Sequence, residues 1–200
     1  MDMDPVELRV LGCLLEKQRT TPDTYPLSLN ALRLACNQST NREPVVEYDE
    51  STIRSALGEL SRRGWTRLTS RAGSRTPKYR QLFDEALGLG DAEVAVLTVL
   101  MLRGPQTPGE LKQRTERLHR FASVDDLAET LAALGERELA ALQPRRPGQR
   151  DDRYTHLLGR GGDDEGDVAP AASESAPVSI EKRVQRLEEI VAELRRRLPS

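Results

Sequence analysis

An internal repeat constrains this chain more than any other feature, because it sets the order in which helices and strands must follow one another. In the first half, Val6, Val10, Leu11, Leu14 and Leu15 fall at helical spacing after Pro5, which suits a first helical position. Ser28 then stands as an N-cap before Leu29, Leu32, Leu34 and Ala35, and Asp49 before Ile53, Ala56, Leu57 and Leu60, with Gly64 as the stop. Two short alternating runs, residues 65–69 and 78–82, flank a basic, Gly-containing loop and predict a β-hairpin. The same signals return as Val94, Leu97, Leu100 and Met101; Thr107 and Pro108; and Ser123 with Leu127, Leu131 and Leu134. Residues 139–142 and 154–158 then flank a second basic loop. Ile53, Leu57, Leu60 and Leu68 match Leu127, Leu131, Leu134 and Leu142 at a constant offset of 74, while Ser28 and Thr107 are 79 apart. Leu8, Leu11 and Leu14 precede Val94, Leu97 and Leu100 by 86. The shrinking offset means that the first copy carries extra residues between its helices.

Three helices and a hairpin with a basic loop are the order of a winged helix-turn-helix, in which the third helix can enter the major groove and the wing can track phosphates. The predicted class is α+β, mainly α with small hairpins. It is divided into a first winged-helix domain over residues 1–88 and a second over 89–158. Residues 159–179, rich in Gly, Ala, Ser, Pro and acids, predict a flexible linker. Beyond it Ile180, Val184, Leu187, Val191, Leu194 and Leu198 alternate at spacings of four and three, so residues 180–198 predict an amphipathic helix that forms a coiled-coil homodimer or docks on its own chain.

Several function classes fall away on composition. Aromatic residues make up 4% of the 200, too few for a single-stranded nucleic-acid stacking platform. No apolar run approaches the length of a membrane span, and residues 1–20 carry acids where a signal peptide would be basic and then apolar, so a cytoplasmic protein without a membrane partner is expected. Cys13 and Cys36 lie in apolar helical stretches and have no metal-ligand spacing with His119 or His156. Neither histidine has a nucleophile pattern around it, and there is no Gly-rich phosphate loop. No enzyme, cofactor or metal is expected.

Two longer runs carry a family resemblance. The first comprises Leu14, Leu15, Glu16, Lys17, then Thr20, Thr21, Pro22, Asp23, and Tyr25 to Leu32, and continues through Ala35, Cys36, Asn37, Gln38, Asn41, Arg42, Pro44 and Val45. The second comprises Leu102 to Leu111, then Arg114 to Leu118 and Phe121. Together they resemble the YceH-like family of bacterial proteins over about residues 6–158. The resemblance implies a tandem winged-helix fold in a bacterial cytoplasm, and it implies no particular biochemical activity.

The net charge of −2 conceals the strongest electrostatic feature: Arg62, Arg63, Arg67, Arg71, Arg75, Lys78 and Arg80 occur with no acid between residues 60 and 83. These cations, with Arg54 and Ser55 on the third helix, are the candidate contacts to double-stranded DNA. In the second copy the third helix offers Asp125, Asp126, Glu129 and Glu136, and its loop sets Arg145, Arg146 and Arg150 against Asp151 and Asp152. The alternative is therefore a scaffold that recruits a protein partner through the acidic second copy and the C-terminal helix. The polar stretch Asn37 to Arg42 reads as a loop held by its own side-chain bonds, with Asn30 as a possible brace.

Overall fold

Helix caps set the frame. A computed structural model describes residues 1–69, 76–143 and 151–159, all within one compact unit. Asp4 caps α1 (Pro5–Thr20), accepting from Val6 and Glu7 while Glu7 reaches back to the Asp4 amide. Ser28 caps α2 (Leu29–Cys36) and Asp49 caps α3 (Glu50–Arg62). The Thr52 amide that Asp49 accepts from holds its carboxyl down to about 2. Gly64, at φ +77°, follows α3 as the turn residue anticipated there. Strands β2 (Thr66–Thr69) and β3 (Lys78–Gln81) pair antiparallel, as the alternation predicts.

Helix α4 (Phe83–Leu87) then leads to α5 (Asp91–Arg103), α6 (Pro108–Thr115) and α7 (Val124–Glu136), and β4 (Ala140–Gln143) pairs antiparallel with β5 (Arg153–His156). The class is α+β. Three local elements escape the sequence pattern: a 3₁₀ turn at Pro22–Thr24, the strand β1 (Leu27–Ser28) and α4 itself. Strand β1 adds to the far edge of the first hairpin, pairing Leu27 with Tyr79, so that sheet has the order β1-β3-β2.

The repeat extends into contacts that hydrophobic spacing does not reveal. Leu27 pairs with Tyr79 in the first copy, and Gln106, 79 residues after Leu27, pairs with Tyr154 in the second. Glu7 closes the capping box of α1, and Glu93, 86 residues later, closes the equivalent turn of α5 through the Gly90 amide. Arg63 lies 3.8 Å from Glu7, and Arg137 lies 2.8 Å from Glu93. In each copy an arginine just past the third helix therefore holds the start of the first.

The first helices of the two copies, α1 and α5, pack directly on each other. Every residue from Val94 to Leu102 is buried, as befits a helix enclosed on all sides. At the crossing, Gly12 leaves no room for a side chain: a Cβ there would stand 2.9 Å from Leu102 Cδ2 and 3.4 Å from Met101 Cβ. The ends of the unit are tied as well, since the Met3 amide donates to the Leu158 carbonyl.

Two stability predictions follow from this packing. Gly12→Leu overfills the α1–α5 crossing and lowers stability by about 1–3 kcal/mol, read as a fall in the denaturant midpoint at unchanged slope. Burial pushes the His156 imidazole down to about 4 from the ordinary 6.5. The unfolded chain therefore takes up a proton that the folded chain refuses between those values, and stability declines as pH falls from 6.5 towards 4, by an amount on the order of 2 kcal/mol. Urea titrations of His156→Gln across this range show the shallower decline; equal pH slopes in the two proteins would assign the acid loss to other groups.

Candidate nucleic-acid interface

The amphipathic pattern of α3 decides which of its side chains face solvent. Ile53, Ala56, Leu57 and Leu60 are buried, which leaves Ser51, Arg54, Ser55, Gly58, Ser61 and Arg62 on an exposed face. Arg54 is loosely paired with Glu50 at 3.8 Å and Arg62 is paired with Glu59, yet their side chains remain 62% and 73% exposed. Surface pairs of this kind add little stability and give way easily to another anion. Between the two arginines, a Cβ added at Gly58 would meet nothing within 4 Å. Glycine there costs about 1 kcal/mol relative to alanine, and no neighbour within the fold requires it.

The first hairpin continues the positive charge. Arg67 is exposed and stands opposite Arg80 in the ladder, a like-charge pairing that is unfavourable in isolation. Glu85 offsets part of it by pairing with Arg80. Lys78, opposite Thr69, is half-buried near the last described rung. Arg71 and Arg75 lie outside the described residues, as do the second loop's Arg145, Arg146 and Arg150 and the helix expected over residues 180–198.

The geometry separates the predicted cations into two groups. Arg54, Ser55, Arg62 and Arg67 are exposed and adjoin one another along the chain of α3 and β2. Arg63 is also exposed, but the fold engages it: it donates to the Asp2 carbonyl, approaches Glu7 and lies over the Trp65 ring at 5.3 Å. Trp65 in turn meets Phe83 edge to face at 5.4 Å and anchors the hairpin to the helices. An arginine so engaged is a poorer candidate than its position in sequence suggests.

The polar stretch before α3 is structural for the most part. Asn37 bonds both the amide and the carbonyl of Tyr48. Arg42 is buried, with a guanidinium that reaches Glu16 at 2.6 and 3.1 Å as well as Gln38 and the Ala35 and Asn41 carbonyls. Burial pushes the Glu16 carboxyl up, but Arg42 outweighs it and holds that group below its ordinary value. Asn30 does not brace this loop; it accepts from Arg33 within α2. Cys13 and Cys36 are both buried and free, with their thiols within hydrogen-bonding reach of each other, a pairing that their separation in sequence hides.

On the second copy, Asp125, Glu129 and Glu136 are exposed on α7, so the face equivalent to that of α3 is acidic. Among the described residues no helix is long and apolar enough to cross a membrane.

Comparison with known proteins agrees with the resemblance read from the sequence. A profile described as "Protein of unknown function, DUF480" matches residues 3–149. A UPF0502 protein of Solibacter usitatus (strain Ellin6076) is 48% identical over 97% of this chain and 93% of its own length. The UPF0502 protein YceH of Salmonella paratyphi C (strain RKS4594) is 45% identical over 100% of this chain and 95% of its own. With both profile and full-length relatives in agreement, the chain belongs to the DUF480 (UPF0502, YceH-like) family.

Proposed function

We propose that this protein is a non-enzymatic, cytoplasmic DNA-binding protein of two winged-helix units, and that it contacts duplex phosphates through the exposed face of α3 and the first hairpin. The observation that carries the reading is the α3 face itself. It presents Arg54 and Arg62 on either side of Gly58 and continues into exposed Arg67. A flat, small-residue helix surface between two cations allows the backbone of a polyanion to approach closely, and Ser55 adds a tolerant donor or acceptor for base edges. The like-charged Arg67 and Arg80 are relieved by the same ligand. Residues 180–198, as a coiled coil, would present two such faces together.

A second reading has its own observation. On the second copy, exposed Val124 precedes the acids of α7, and Leu142 and Leu157 are also exposed, which suits a protein partner with a basic and apolar face. The two copies then divide the work, one contacting DNA and the other recruiting.

Fluorescence anisotropy of the full chain with random-sequence duplex at two salt concentrations tests the first reading. Wild type binds with a steep salt dependence, and Arg54→Ala combined with Arg67→Ala weakens binding and reduces the log–log salt slope by about 2. A Glu129→Ala variant leaves both quantities unchanged. Absence of duplex binding at low salt, or equal slopes in wild type and the double variant, would remove DNA contact by this face.

A further inference from the structure

The two sequence runs that carry the family resemblance are far apart in the chain, and the α3 face uses almost none of their residues. They meet at a cleft of about 530 Å³ between α1, α5, α6 and the loop that follows α2. All of the residues lining it except Thr40, Thr98, Val99 and Gln113 belong to those two runs.

The cleft is strongly cationic. Lys17, Arg103, Arg114 and Arg117 line it against a single carboxylate, Glu16, which is already held by buried Arg42 at 2.6 Å and by Lys17 at 3.4 Å. Arg103 is bonded to the Asn41 side chain and, among the described residues, has no carboxylate partner. Arg114 shares Glu110 with Arg153, at 3.4 and 3.0 Å. Arg117 is exposed and makes no ion pair among the described residues. Partial burial first, and then the charges of Arg114 and Arg42, hold the Arg103 guanidinium below its ordinary range, against the opposing carboxylates of Glu16 and Glu110. The rest of the lining supplies hydroxyls and carboxamides, among them Thr20, Thr40 and Gln113, over a small apolar floor of Val99 and Leu102. No aromatic side chain is among the lining residues.

We infer that this cleft is a binding site for a small organic phosphate that carries several hydroxyl groups, of the size and chemistry of a sugar phosphate. Arg103, Arg114 and Arg117 hold the phosphate, where planar guanidinium groups give paired, charge-assisted bonds. Threonine hydroxyls and carboxamides read the hydroxyls. The volume exceeds what inorganic phosphate needs and lies within the usual range for small-molecule sites. The missing aromatic wall leaves a nucleobase nothing to stack on. The walls come from both copies of the repeat, so an occupant bridges them across the α1–α5 crossing. The site stands independently of the DNA-binding reading.

Isothermal titration of the full chain with glucose 6-phosphate, inorganic phosphate and glucose, at fixed ionic strength, tests this inference. Saturable binding of glucose 6-phosphate is expected, at least about tenfold tighter than inorganic phosphate, with no heat from glucose. Arg117→Gln, at an exposed and unpaired position, weakens that binding by about tenfold while its melting temperature without ligand matches wild type. Arg103→Gln weakens it likewise, and Arg54→Ala does not. No saturable binding of glucose 6-phosphate at concentrations up to about 10 mM, an affinity too weak to fill a specific site, would overturn the inference. So would unchanged affinity in Arg117→Gln, or phosphates that fail to bind while the same variants weaken duplex DNA binding, since the cleft would then belong to a nucleic-acid surface.

Discussion

The α1–α5 crossing is the contact on which the rest of the unit depends. Each of these helices is the first of its copy, and each buries its apolar stripe partly against the other. Gly12 sets how closely they approach, because Leu102 and Met101 occupy the space a side chain would fill. Separating the second copy from the first would expose apolar surface at this crossing, beginning with Leu102 and Met101 where they meet Gly12. Each copy is a small bundle that would be marginal alone. Joined through α1 and α5, the copies share a continuous core from Leu11 and Leu14 to Leu97, Leu100 and Leu131.

Much of this order was legible in the sequence because it rests on local chemistry. Ser28, Asp49, Thr107 and Ser123 each open a helix and accept from a backbone amide that would otherwise be unpaired, while Pro5 opens α1 by lacking the amide that its first turn would leave without a partner. The stripes of α3 and α7 are the buried residues that the 74-residue offset picked out. What escaped is nonlocal. Strand β1 consists of Leu27 and Ser28 alone, and those residues read as the approach to a helix until Tyr79 is brought alongside. The Met3 to Leu158 bond joins opposite ends of the described chain, and no spacing rule reaches that far. Helix α4 is five residues long, too short for periodicity to register.

The candidate site was legible to a lesser degree, and for a related reason. Counting arginines between residues 60 and 83 finds a charge run but not its direction. Arg63 belongs to that run, yet it is held by the Asp2 carbonyl, Glu7 and the Trp65 ring. Its counterpart Arg137 makes the matching contact to Glu93, which identifies the Arg63 interaction as part of the repeated scaffold. The cationic cleft was invisible in the same way. Glu16, Lys17, Arg103 and Arg117 are scattered over a hundred residues, and the packing of α1 and α6 on α5 brings them to one place.

The two copies have kept one architecture while their surfaces have diverged in charge, and the divergence is confined to positions the core does not use. In α3 and α7 the apolar residues correspond, so both third helices can seat identically on their bundles. Their outward residues do not correspond: Arg54 and Arg62 in α3 are replaced 74 positions later by Ala128 and Glu136 in α7. A helix face that approaches phosphate cannot tolerate that exchange, because each carboxylate there adds repulsion where an arginine adds attraction. The same surface on the second copy is therefore unsuited to the phosphate contact proposed for the first. The shared scaffold holds one basic face and one acidic face at fixed positions, separated by a core that neither charge enters.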